Sequence, residues 1–193
     1  MGNFSFKKTK IKDLFVIEPQ VIGDDRGYFM ESYSKKEFNN AGLNMEFVQD
    51  NESKSTKGVL RGLHFQTKHT QGKLVRVNEG SVYDVAVDLR KGSPTFGKWE
   101  GLILSDENKK QLYIPEGFAH GFLVLSDVAV LNYKCTDYYA PEYDSGVLWN
   151  DSEIDIKWPL EGIDQIILSE KDKKQKKLKD LKICFNYKEE TQK

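Results

Sequence analysis

The chain is short of cysteine, of histidine, of long apolar runs and of any surplus charge. It has two cysteines in 193 residues, Cys135 and Cys184, and they form no Cys-x-x-Cys pair. That argues against a disulfide framework and a thiolate metal site, and for a reducing compartment. Basic and acidic residues number 29 and 30, a formal charge of −1. A near-neutral total speaks against a general nucleic-acid or membrane-surface binder, although a local basic pocket stays open. The opening MGNFSFKKTK lacks the apolar run of a signal peptide, and Phe6 stands where a myristoylation signal on Gly2 wants Ser or Thr. No apolar run approaches membrane-spanning length, and neither an internal repeat nor a low-complexity linker is present. The expectation is a soluble cytoplasmic protein of one domain, large enough to bury its own core.

What the chain has instead is a series of short apolar or alternating runs: LFVIE, GYFMESY, EFVQ, GVLRGLHFQ, KLVRV, SVYDVAVDL, WEGLIL, QLYIP, GFLVL and VAVLNYKC. Turn signals such as Gly23-Asp24-Asp25, Asn78-Glu79-Gly80, Gly92-Ser93-Pro94 and Pro115-Glu116-Gly117 separate them. Many short strands at regular spacing predict a mainly β protein, an antiparallel sandwich or barrel. One short helix is predicted over KKEFNNAG (35–42), closed by Gly42. After about residue 150 the texture changes. SEKDKKQKKLKDLK (169–182) reads as a short, charged surface helix followed by a loose end.

Three histidines occur, His64, His69 and His120. Gly58 with His64, and Pro115, Gly117 and His120 in a P-x-G-x-x-H spacing, resemble the two halves of a cupin, the small jelly-roll barrel. A metal-binding cupin continues its first half with a second histidine and a glutamate. Here Phe65 and Gln66 follow His64, and no glutamate lies between Gln66 and Gly72. A carboxamide is a poor ligand for a transition ion, and two histidines fall below the usual three ligands. The barrel mouth is therefore expected to hold no metal, leaving the histidines to proton chemistry.

GVLRGLHFQ (58–66) carries a guanidinium, an imidazole and an amide on an otherwise apolar strand, where unpaired polar groups are costly. Strict alternation puts His64 and Gln66 on one face and Arg61 on the other. For Arg61 and His64 to share a pocket, either a bulge breaks the pattern, for which Gly62 is well placed, or the strand end splays.

The segments DDRGYFMES, FVQDNES, VLRGLHFQ, QGKLVRV, VYDVAVDLRKGSPTFGKW, IPEGFAHGF, NYKCTDYYAPE and LSEKD occur in this order over about residues 10–172. Together they resemble the motif series of the dTDP-4-dehydrorhamnose 3,5-epimerases. That resemblance implies a cupin-type antiparallel jelly roll with a few short helices over residues 1–172, with 173–193 as a charged C-terminal extension. It also implies inversion of C3 and C5, the carbons flanking the ketone of a nucleotide-linked 4-keto-6-deoxyhexose, with no cofactor and no metal. Such chemistry needs a base on one face, an acid on the other and a cation near the oxygen, because the ketone draws the charge of the broken C–H bond.

By this resemblance His64 is the base, with Asp172 on its second ring nitrogen, and Tyr133 is the acid, protonated at neutral pH. Lys73 and Arg61 supply positive charge near the ketone oxygen or the diphosphate, and His120 contacts the sugar. Arg26, Glu31, Gln49, Asn51, Tyr139, Asp144 and Lys171 form the matched nucleotide-binding set, with Tyr139 stacking on the base and Asp144 standing where a glutamate is often found. The resemblance further implies a homodimer, in which the N-terminal segment joins the partner's sheet and Arg26 and Glu31 reach the partner's site. Read without it, Asp172 is a surface acid, Tyr133 a strand tyrosine, and His64 and His120 core histidines with a hydrogen bond.

The most direct reading is conversion of dTDP-4-dehydro-6-deoxy-D-glucose to dTDP-4-dehydro-L-rhamnose. The alternative is an epimerase acting at C3 only, or on another nucleotide-linked 4-keto sugar such as a GDP-linked heptose, in surface-polysaccharide synthesis. Further from it stand an isomerase moving the ketone from C4 to C3, a non-catalytic sugar-binding cupin, and a metal-dependent oxygenase, the last disfavoured by Gln66.

Overall fold

The alternating runs pair into two antiparallel sheets that pack face to face, and residues 2–187 are described by the computed structural model. The larger sheet has the order β1 (Phe4–Lys8), β2 (Phe15–Pro19), β10 (Gln111–Ile114), β7 (Lys73–Glu79), β12 (Val128–Cys135), β5 (Gln49–Thr56). The smaller runs β13 (Asp144–Gly146), β6 (Leu60–Gln66), β11 (Phe118–Val124), β8 (Ser81–Asp88), β9 (Trp99–Ser105). Apart from β1–β2 and β8–β9, neighbouring strands in both sheets are distant in sequence, as in a jelly roll, so the expected mainly β, cupin-like architecture is the one adopted. A separate hairpin, β3 (Ile22–Asp24) and β4 (Gly27–Phe29), turns at the predicted Gly23-Asp24-Asp25 signal. The predicted helix is α1 (Lys35–Asn40), and Gly42 follows it at φ +83°, a conformation glycine adopts at no steric cost.

Alternation divides the strand side chains among three apolar clusters. Between the sheets lie Val75 and Val77 of β7, Val82 and Ala86 of β8, Phe118 and Phe122 of β11, and Leu131 of β12. The outer face of the larger sheet, through Ile17, Leu74 and Tyr113, is covered by Phe38 of α1, which is fully buried. The outer face of the smaller sheet, through Leu63, Phe65, Val85 and Val87, is covered by the C-terminal third: Ile154, Trp158, Leu178, Ile183 and Phe185. Burial of a side chain of that size is worth about 1.5–3 kcal/mol.

This last layer corrects one expectation. Residues 169–182 do not form a surface helix followed by a loose end. Two short 3-10 turns occupy Asp172–Lys174 and Leu178–Asp180, and the chain then runs along the sheet through residue 187. Backbone hydrogen bonds fasten it, from Leu148 to the carbonyl of Lys176 (2.9 Å), from Lys91 to Phe185 (2.9 Å) and from Tyr187 to Lys91 (2.8 Å). Asp151 also accepts the Leu178 N–H at 2.8 Å. The lysines stay outside while Leu178, Ile183 and Phe185 fall inside. The last six positions of the expected extension, 188–193, lie outside the described residues.

No helix among the described residues is long and apolar enough to cross a membrane.

Candidate active site

The strand faces that fill the core change character toward one end of the barrel. On β7, Val77 and Val75 point between the sheets and the next residue on that face is Lys73. On β12, Leu131 is followed on its face by Tyr133, which packs against the same core. On β5 the inward series Gln49, Asn51 and Ser53 is polar throughout. These side chains enclose a cavity of about 340 Å³ with Arg61, His64 and Gln66 of β6, His120 of β11, Asp144 of β13, and Tyr139 and Lys171 from the loops.

A bulge resolves the conflict on β6. His64 pairs with His120 and Arg61 with Phe122, so Gly62 and Leu63 together stand opposite the single residue Gly121. The extra residue places Arg61 and His64 on the same side, and Leu60, Leu63 and Phe65 remain on the outer apolar face. Gly62 has φ +121°, and a Cβ there would lie 2.6 Å from the Gly121 Cα. No other residue fits without moving β11.

His64 donates to or accepts from Asp172 through Nε2 at 2.5 Å, and its Nδ1 has no hydrogen-bond partner among the described residues. The His64 side chain is 30% exposed, while Asp172 is buried. Burial raises the Asp172 carboxyl, but the hydrogen bonds from His64 and Ser169 and the charge of Lys171 outweigh it and hold the group below its usual range. Tyr133 reaches the cavity from the other sheet, so the phenol and the imidazole stand on opposite walls. Burial, with the Cys135 thiol adding to it, raises the Tyr133 phenol and keeps it protonated further into alkaline solution. Loss of water lowers the Lys73 ammonium, against the pull of Cys135, Asp84 and Asp144.

His120 belongs to a second imidazole–carboxylate pair. Its Nε2 lies 2.9 and 3.1 Å from the two oxygens of Asp84, and both residues are buried. Asp84 did not emerge from the sequence, although an aspartate between Val82 and Ala86 on an inward strand face is a signal of the same kind as His64. Ser169, which donates to Asp172 at 2.8 Å, was also missed and leaves no such trace.

The amides have structural work. Gln66 Nε2 donates to the carbonyls of His69 (2.5 Å) and Tyr138 (3.1 Å), and its Oε1 accepts the Ala140 N–H (2.7 Å). Gln49 Oε1 accepts the Tyr139 N–H (2.9 Å), and Gln49 donates to Asn51 (2.9 Å). These bonds fix the loop that presents Tyr139, whose hydroxyl donates to Asp144 at 3.2 Å; Asp144 also pairs with Lys171. Arg61 donates from Nε to Ser55 at 3.1 Å.

Of the thirteen residues singled out in the sequence, ten line the cavity and Asp172 backs it through His64. Arg26 and Glu31 do not join them within one chain. Arg26 pairs with Asp24 on the exposed hairpin, and Glu31 accepts from Asn3 at 3.1 Å. His69 sits outside as well, 3.3 Å from Asp137. Among the described residues no three His, Cys, Asp or Glu side chains converge as a metal site would require.

A jelly-roll barrel that brings an imidazole, a phenol and an ammonium to one cavity has the groups that a cupin-fold acid–base isomerase needs. Comparisons with known proteins narrow the class. The family model described as dTDP-4-dehydrorhamnose 3,5-epimerase matches residues 8–180. The dTDP-4-dehydrorhamnose 3,5-epimerase of Methanothermobacter thermautotrophicus is 57% identical over 180 residues, covering 93% of this chain and 97% of its own. The crystal structure of dTDP-6-deoxy-D-glucose-3,5-epimerase from Legionella pneumophila, in complex with dTDP-4-keto-L-rhamnose, superposes with a TM-score of 0.93. It is 50% identical and covers 96% of this chain and all of its own. The dTDP-4-dehydrorhamnose 3,5-epimerase of Elizabethkingia anophelis gives a TM-score of 0.87 at 54% identity, covering 93% of this chain and 98% of its own. The chain belongs to the dTDP-4-dehydrorhamnose 3,5-epimerase family, isomerases that act on carbohydrates.

Proposed function

We propose that the cavity binds dTDP-4-dehydro-6-deoxy-D-glucose and inverts C3 and C5 to give dTDP-4-dehydro-L-rhamnose. The observation that carries this reading is the placement of His64, backed by Asp172, and Tyr133 on opposite walls of one cavity with Lys73 beside them. His64 takes the proton from C3 through its free Nδ1, and the electron pair moves through the C3–C4 bond onto the C4 oxygen as an enolate. Lys73, with Arg61, steadies that oxygen or the diphosphate. Tyr133 then returns a proton to C3 from the opposite face, which inverts the carbon. His64 now holds one proton more and Tyr133 one fewer. Exchange with water resets both, and the same cycle follows at C5.

Arg61, Lys171, Gln49, Asn51, Tyr139 and Asp144 belong in this reading to the nucleotide and diphosphate, with His120 on the sugar. Arg26 and Glu31 act across a homodimer. The hairpin that carries Arg26 exposes Ile22, Tyr28 and Phe29, apolar surface suited to a second copy. The working unit is the barrel of residues 1–172 with its C-terminal extension, 173–193, and two unpaired thiols accord with work in the cytoplasm.

Proton NMR of the reaction in deuterated buffer tests the assignment. Deuterium entering C3 and C5 is expected; label confined to C3 would replace the reading by a C3 epimerase. A GDP-linked substrate turned over faster than the dTDP-linked one would overturn the nucleotide. The His64→Asn variant is expected to lose turnover by roughly 10²–10⁴-fold while still binding dTDP.

A further inference from the structure

The His64–Asp172 pair has a third member that neither the motif reading nor the comparisons assign. Asp172 is 3% exposed, and among the described residues its carboxylate meets two hydrogen-bond partners. Oδ1 faces His64 Nε2 at 2.5 Å, and Oδ2 accepts from Ser169 Oγ at 2.8 Å. The same Ser169 oxygen accepts the Asp172 backbone N–H at 3.1 Å. One hydroxyl therefore fixes both ends of the residue, its backbone and its carboxylate.

The surroundings make that restraint matter. Asp172 stands in a short 3-10 turn outside both sheets, so no strand ladder holds its backbone. A second cavity, of about 330 Å³, runs beside the pair and is lined by Val59, Leu60, Arg61, Ser169 and Lys171 as well as by His64 and Asp172. Two of those residues are cations. A carboxylate without its Oδ2 partner has room to turn toward Arg61 or Lys171, and either competes with the imidazole for it.

We propose that Ser169 is a positioning residue for the epimerisation: its hydroxyl holds the Asp172 carboxylate on His64 Nε2, so that Nδ1 faces the sugar. This rests on His64 being the base. In that arrangement Asp172 keeps the imidazole in one tautomer and steadies the imidazolium that proton abstraction creates. Ser169 acts on both through Asp172 and touches neither substrate nor the reacting carbons.

Ser169→Thr and Ser169→Val test it, since they share a shape and differ by the hydroxyl. Ser169 is solvent-exposed, so both branched side chains have space. The expected result is that Thr keeps kcat within about twofold of the wild type, and Val lowers it roughly tenfold with KM and dTDP affinity unchanged. The acid limb of the kcat–pH profile should rise by about one unit in Val only, because a carboxylate that loses a donor takes up a proton at higher pH. Ser169→Ala, which leaves space for a water in place of the hydroxyl, should fall between them. Equal kcat and equal acid limbs for Val and Thr would overturn the proposal, as would a Val variant that loses only thermal stability. Full turnover by His64→Asn would instead remove the base assignment beneath it. Loss of turnover in His64→Asn together with identical Ser169 variants removes the role of Ser169 alone.

Discussion

The molecule holds two imidazole–carboxylate pairs of nearly the same chemistry, and their settings differ. His120 and Asp84 sit on neighbouring strands of one sheet, β11 and β8, and both are buried. His64 lies on a strand, but its carboxylate comes from a turn 108 residues away, and its ring is partly open to the cavity. In the first pair both partners are held on paired strands and are buried, although His120 still lines the cavity. In the second, one ring nitrogen is tethered and the other is free to exchange a proton. In the proposed mechanism greater exposure, more than the presence of a carboxylate, distinguishes His64 as the reacting histidine from His120.

Replacing each acid by its amide should break the symmetry most. Asp172→Asn is expected to lower kcat by roughly 10³–10⁴-fold, as amide replacement does in other histidine–aspartate pairs, while stability falls by only about 1 kcal/mol. Asp84→Asn should do the reverse, costing about 3 kcal/mol of stability because it strips the charge from a fully buried pair and sets an amide N–H where an acceptor stood, with a smaller loss of kcat. Denaturant unfolding and steady-state kinetics on both variants decide the matter, and a larger stability loss in Asp172→Asn than in Asp84→Asn would erase the contrast.

Acid should act on the open pair too. The Asp172 carboxyl is held below its ordinary value of 3.8, so its folded form binds a proton less readily than its unfolded form. The stability it contributes is complete above that ordinary value and disappears as pH falls through the depressed folded one. Unfolding midpoints measured downward from pH 5 should drop less steeply in Asp172→Asn than in the wild type. Parallel curves would mean that the carboxylate is not held as described.

The smallest effect is expected at Lys73. Its ammonium is lowered by loss of water, whereas the Tyr133 phenol is raised by burial. These opposite directions favour the lysine as the group that sets the alkaline limb of kcat/KM. Lys73→Arg, which keeps a charge at every accessible pH, should move that limb upward even where the rate itself falls. An unmoved limb would assign it to Tyr133.

The sheets were legible because alternation and turn residues repeat along the chain: the turn at Gly23-Asp24-Asp25 closes the β3–β4 hairpin, and the one at Asn78-Glu79-Gly80 carries the chain from β7 in one sheet to β8 in the other. That His64, Tyr133 and Lys73 meet at one cavity was legible through the motifs around them. The geometry joining Arg61 to His64 was not, because alternation alone separates them and two ways of reuniting them stayed open. The C-terminal segment was misread since its lysines dominate the text, whereas Leu178, Ile183 and Phe185 follow no helical or strand period and find their places only against the sheet. Gln66 looked like a failed metal ligand, and only the loop it ties down reveals its use. Arg26 and Glu31 remain apart from the cavity because a single chain does not bring them there.

The doubled step on β6 has a further consequence. It depends on the number of residues between Arg61 and His64 and on Gly62, whose close approach to β11 leaves no room for a side chain. Exchanging Leu63 alters the outer apolar face but leaves the guanidinium and the imidazole on the same wall, whereas a side chain at Gly62 would push against β11. Deleting Leu63 would shorten the segment by one, turn Arg61 out toward the C-terminal layer, and leave the imidazole alone at the mouth of the barrel. The pairing of these two groups is thus protected against replacement of Leu63 and exposed to a single lost codon.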